Sequence, residues 1–188
     1  IMTGAAVLIY RGTPIQVKDP MFVAISQGKL FGIPYITLIS FAVFIIGAII
    51  MNYTAFGRAV FAIGDNEVAA ASTGINISRT KIKVFALCGC TAAIAGVLQC
   101  MRLKLGQSNL GLNQMFPVVT AIVLGGGSVS GGKGGALQSF VGVLIYTELA
   151  NWLTLMGVDT NVKKVIQGII IIIAVTLTVE HNRRTVVK

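Results

Sequence analysis

Five stretches of this sequence hold no Asp, Glu, Lys or Arg: residues 30–57, 84–101, 105–132, 134–147 and 165–179. A helix needs about 20 mostly apolar residues to cross the hydrocarbon core of a bilayer. Several of these runs reach that length and the others approach it. Charged residues make up only 11% of the chain and apolar residues 55%, with a mean hydropathy of +0.85. An ordinary soluble domain is about 25% charged. The chain therefore reads as an all-α membrane protein, a polytopic bundle forming one transmembrane domain over residues 1–188.

The expected spans are 31–52, 84–101, 105–127, 136–156 and 165–180, and residues 1–10 read as the end of another. Because the chain opens IMTGAAVLIY, inside an apolar segment, it reads as the C-terminal part of a longer protein with spans before it. Residues 116–127 are short, and either belong to a crossing that starts near Leu105 or form a re-entrant half-helix. Residues 11–29 and 53–83 read as extramembrane loops. The net charge of +9 lies between apolar runs and in the tail HNRRTVVK, where basic residues act as topology signals and headgroup contacts. Nucleic acid is not implied, since no aromatic residues interleave with the basic ones. Arg58, Arg79, Lys81 and Lys83 place the 53–83 loop in the cytoplasm, and the tail follows the same rule. The 11–29 loop carries Arg11, Lys18 and Lys29 and so does not distinguish the sides as clearly.

The stretch GGGSVSGGKGG, residues 125–135, fits G-x-x-x-x-G-K from Gly127 to Lys133. A phosphate-binding loop also needs a Ser or Thr after the Lys, to place a hydroxyl on Mg²⁺. That position is Gly134, and no acidic residue ends a second buried strand to hold the metal. The glycines need another explanation. Cys88, Cys90 and Cys100 fall in one apolar segment and read as packing residues. No metal site or catalytic set is visible, and the single histidine, His181, stands far from the cysteines.

Within 53–83, Asp65-Asn66 is a helix N-cap signal, Glu67 suits the first turn and Gly74 a C-cap. The pattern predicts a short helix over 67–73 with a small face at Ala69 and Ala70, fit to dock into a partner's groove.

Two motifs then resemble the permease subunit of ribose-type simple-sugar ABC importers. One is G-x-N-x-x-A-A-x-x-x-G-I-N, carried by Gly64, Asn66, Ala69, Ala70, Gly74, Ile75 and Asn76. The other is A-x-V-L-G-G-x-S-x-x-G-G-x-G, carried by Ala121, Val123, Leu124, Gly125, Gly126, Ser128, Gly131, Gly132 and Gly134. The sequence departs from the family at Ala71, often Arg there, and at Gln114-Met115-Phe116-Pro117, where many members have Tyr-Glu-Leu-Asp.

The resemblance implies a sugar permease with no catalytic residue, metal or cofactor of its own. ATP and Mg²⁺ would be held by a cytoplasmic ATP-binding subunit. The coupling helix to that subunit would carry Asn66, Glu67, Ala69, Ala70 and Gly74. The Gly-rich intramembrane loop would comprise Gly125, Gly126, Ser128, Gly131, Gly132 and Gly134, with Lys133 a basic position in it. Other implied partners are an extracytoplasmic substrate-binding protein, a second permease copy or paralogue, and the lipid of a bacterial cytoplasmic membrane. Glu148 is the one acid inside an apolar stretch, where a carboxylate is costly unless it faces a cavity or partner. Glu148, Asn151 and Asn113 are candidate pathway residues, while Trp152 suits the membrane interface. Two alternatives stay open: a branched-chain amino acid permease of the sister family, and an ion-coupled secondary transporter using Glu148.

Overall fold

The computed structural model describes residues 4, 7, 14–16, 19–30, 32–107, 110–112, 114–128, 131–159, 161–163, 165–170, 172 and 176. Seven helices follow one another along these residues: α1 Pro20–Gln27, α2 Tyr35–Tyr53, α3 Ala55–Asp65, α4 Glu67–Ser72, α5 Ile77–Leu103, α6 Met115–Leu124 and α7 Ala136–Leu155. Residues 165–170 are also helical. The all-helical expectation needs one amendment. Four two-residue strands form two antiparallel pairs: β1 Ile15–Gln16 with β4 Leu105–Gly106, and β2 Lys29–Leu30 with β3 Ile33–Pro34.

Among the described residues, α2 and α5 are long and apolar enough to cross a membrane. Neither has a buried residue in the isolated chain. Apolar side chains such as Phe41, Ile46 and Phe85 are more than half exposed. A soluble protein would have to cover such surfaces, whereas lipid or neighbouring spans satisfy them. Helix hydroxyls are turned onto their own backbone. Ser40 donates to the Ile36 carbonyl at 2.9 Å, Thr91 to Leu87 at 3.1 Å and Thr147 to Val143 at 2.8 Å. Such bonds satisfy hydroxyls on otherwise apolar helix surfaces.

The helices match the apolar runs more closely at some ends than at others. Segment 84–101 lies within α5, which starts seven residues earlier because Asn76 caps it, its Oδ1 accepting from the Arg79 N–H at 3.1 Å. The 53–83 segment, read as a polar loop, is mostly helix: α3, α4 and the start of α5. Among the described residues of segment 105–127, only α6 is helical. Ten residues rise about 15 Å, half of a ~30 Å hydrocarbon core, a length that suits the half-helix alternative. Much of the 1–10 and 165–180 segments, and all of the tail 181–188, lie outside the described residues.

The chain divides into two units, residues 1–47 with 81–113 and residues 48–80 with 114–188. In the first, the β1–β4 pair ties the N-terminal part to the end of α5. In the second, α6 packs on α7 and α3 on α4.

Candidate functional site

The second unit brings the two sequence motifs together. Its first component is a sharp corner at Asn66, which ends one helix and begins the next. The Asn66 N–H donates to the Ala62 carbonyl of α3 at 3.1 Å, while its Oδ1 accepts from the Val68 and Ala69 N–H groups of α4, both at 3.0 Å. Asparagine suits both tasks, because its short side chain reaches the orphan donors of a first helical turn. Glu67 stands in that first turn, where a carboxylate complements the helix dipole. At the far end Gly74 N–H donates to Ala71 at 3.0 Å and Ile75 N–H to Ala70 at 3.3 Å, a Schellman closure.

Of the small face expected at Ala69 and Ala70, only Ala69 lies outward. Ala70 is 4% exposed and points into the chain, so its methyl is not offered to a partner. The helix turns through about 100° per residue, which leaves Glu67, Val68, Ala69 and Ala71 on the outside. Val68, at 81% exposed, is the protruding apolar group.

The second component is the Gly-rich loop. It leaves α6 through another Schellman closure: Gly126, at φ +85°, donates to Val123 at 2.9 Å, and Gly127 to Ile122 at 2.9 Å. It then folds on itself, the Ser128 N–H meeting the Lys133 carbonyl at 2.9 Å and the Gly131 N–H the Ser128 carbonyl at 3.2 Å. The element before the loop is a helix, whereas a phosphate-binding loop follows a strand. The glycines serve close packing instead. A β-carbon on Gly64 would stand 2.5 Å from the Gly132 amide nitrogen, and one on Gly132, at φ +75°, 2.8 Å from the Asp65 Cα. One on Gly131 would stand 3.0 Å from the Gly64 carbonyl oxygen. The loop thus rests on the α3–α4 corner backbone against backbone. Beside it α6 and α7 cross equally closely. A β-carbon on Gly142 would overlap the Ala121 carbonyl, and one on Gly125 the Gln138 carbonyl.

Gly64, Asp65, Gly131 and Gly132 therefore meet beside the Asn66 cap, and Gly125, Gly126, Ser128 and Gly134 shape the approach. Glu148 and Asn151 lie apart, exposed and one turn from each other on α7, with Trp152 62% exposed. Asn113 lies outside the described residues. The first unit adds residues that the sequence reading missed. Ser40 of α2 and Thr91, Gln99 and Arg102 of α5 line a cleft of about 320 Å³. Their helical spacing could have marked a polar stripe on α5.

A family profile described as branched-chain amino acid transport system / permease component matches residues 3–175. The chain belongs to that family of transport permeases. Among similar proteins, the probable ABC transporter permease protein YphD of Escherichia coli (strain K12) is 33% identical over 98% of this chain and 55% of its own length. The ribose import permease protein RbsC of Bacillus subtilis (strain 168) is 35% identical over 94% of this chain and 58% of its own. The L-arabinose transport system permease protein AraH of Escherichia coli (strain K12) is 35% identical over 93% of this chain and 53% of its own. The chain spans about half the length of these relatives. No solved structure gives a significant match.

Proposed function

We propose that this chain is part of the membrane-spanning permease of an ATP-driven importer, passing a small sugar from an extracytoplasmic binding protein into the bacterial cell. The observation that carries this reading is the match over nearly the whole chain to proteins named for ribose and L-arabinose import. The family description names branched-chain amino acids, which keeps leucine-type solutes as the second reading.

In this reading α4 is the coupling helix. It presents Val68 and Glu67 to a cytoplasmic ATPase that holds ATP and Mg²⁺. A second permease copy or paralogue completes the passage. Polar groups on the otherwise apolar α7, Glu148 and Asn151, meet the solute. A sugar presents hydroxyls on all sides, and such groups can match them within apolar walls.

Reconstitution of the complete importer tests the reading. Labelled ribose, L-arabinose and xylose are expected to enter vesicles only with ATP and the ATPase subunit. Uptake of leucine in preference to all three would establish the second reading. A photoreactive ATP analogue is expected to label the ATPase subunit alone, and labelling at Lys133 would reverse the reading of the glycines.

Topology has its own test. Ser78, exposed near the start of α5, is expected to face the cytoplasm with the basic cluster around it. A cysteine placed there, in a background without Cys88, Cys90 and Cys100, should resist impermeant thiol reagents in intact cells and react after lysis. Ready labelling from outside would invert the orientation.

A further inference from the structure

We infer that the α3–α4 corner and the Gly-rich loop move as one rigid body, and that this backbone contact carries displacement of α4 into α6 and α7. The inference rests on α4 being the coupling helix, and makes Gly64, Gly131 and Gly132 positioning residues for transport.

The contact has the properties a relay needs. Gly64, Gly131 and Gly132 offer no side chain to rotate away, so a push is not absorbed by rotamer changes. Gly132 meets the backbone of Asp65, the residue before the shared cap Asn66. The described residues of the loop are joined by the Ser128–Lys133 and Gly131–Ser128 hydrogen bonds. Its base is fixed in turn, at Gly126 and Gly127 by the α6 closure and at Gly125 and Gly142 by the helix crossing. Close-packed groups of this kind transmit strain rather than dissipate it.

Gly64→Ala isolates the contact. Gly64 is a helical residue without a positive φ, so alanine there would otherwise favour the helix. Gly126→Ala is the counterpart, since it strains a left-handed position that has open space around it. In proteoliposomes holding the complete importer, Gly64→Ala is expected to keep ATPase association and ATP hydrolysis within about twofold of the parent. Its uptake of labelled ribose is expected to fall about tenfold or more, a loss in the usual range of coupling between sites. Gly126→Ala is expected to lose less than Gly64→Ala. Uptake by Gly64→Ala near the parental rate overturns the proposal, and so does loss of association together with uptake, which marks a purely structural role.

The coupling reading has its own measurement. Uptake by the parent without any ATPase would overturn that reading, a result distinct from the comparison of Gly64→Ala with Gly126→Ala.

Discussion

Gly142→Leu is expected to cost this protein much of its stability in the membrane. Gly142 is buried where α7 crosses α6, and a β-carbon there would overlap the Ala121 carbonyl and lie 2.6 Å from the Gly125 nitrogen. Rotamer choice gives no relief, because the β-carbon is fixed by the backbone. The helices must separate, and this is the most extensive helix pair in its unit. Membrane helices lack a hydrophobic drive to reassociate, so lost backbone approach is lost stability. Overpacking costs about 1–3 kcal/mol. At roughly 2–4 °C per kcal/mol for a protein of this size, the thermal midpoint in detergent should fall by about 2–12 °C. The direction opposes local preference, since leucine favours a helix over glycine by about 1 kcal/mol. Gly89→Leu is the control: it lies in α5 with nothing within 4 Å of a β-carbon, and should leave the midpoint close to the parent's. Equal stability of the two variants would mean that α6 and α7 do not cross at these glycines.

The glycines show what the sequence reveals and what it hides. An apolar run with at most one charge announces a helix by composition alone, and 31–52, 84–101 and 136–156 anticipate α2, α5 and α7 to within a few residues at most ends. The cap at Asn66 was legible too, because Asn followed by Glu is a local signal. What a glycine packs against is not local. Gly64 and Gly132 are far apart in the chain, and nothing in either motif says that they touch. The β1–β4 pairing of Ile15–Gln16 with Leu105–Gly106 was hidden for the same reason. Helix α3 was missed because Arg58, Asp65 and two glycines diluted its apolar residues into an apparent loop. The orientation of α4 depended on which side of a six-residue helix meets the rest of the fold, and two adjacent alanines cannot specify that.

That orientation yields a pair of opposite outcomes. Val68→Asp is expected to release the ATPase while leaving the permease folded, and Ala70→Trp to damage the permease itself. Val68 is 81% exposed, so the change removes no internal contact. If α4 docks through this side chain, its burial contributes up to about 1.5–3 kcal/mol, and a carboxylate in its place adds a desolvation cost. Association should weaken by roughly 10- to 100-fold, since each 1.4 kcal/mol is tenfold. Ala70 is 4% exposed and sits where its carbonyl closes the helix end with Ile75. An indole there has to displace whatever covers the methyl, so the thermal midpoint in detergent should drop whether or not the ATPase is present. Pull-down of the ATPase by each variant, with the midpoint measured on the permease alone, separates the two. A stable Ala70→Trp protein that fails only in pull-down would return the docking face to the alanines. A Val68→Asp protein that binds the ATPase as tightly as the parent would reduce α4 to a connector between α3 and α5.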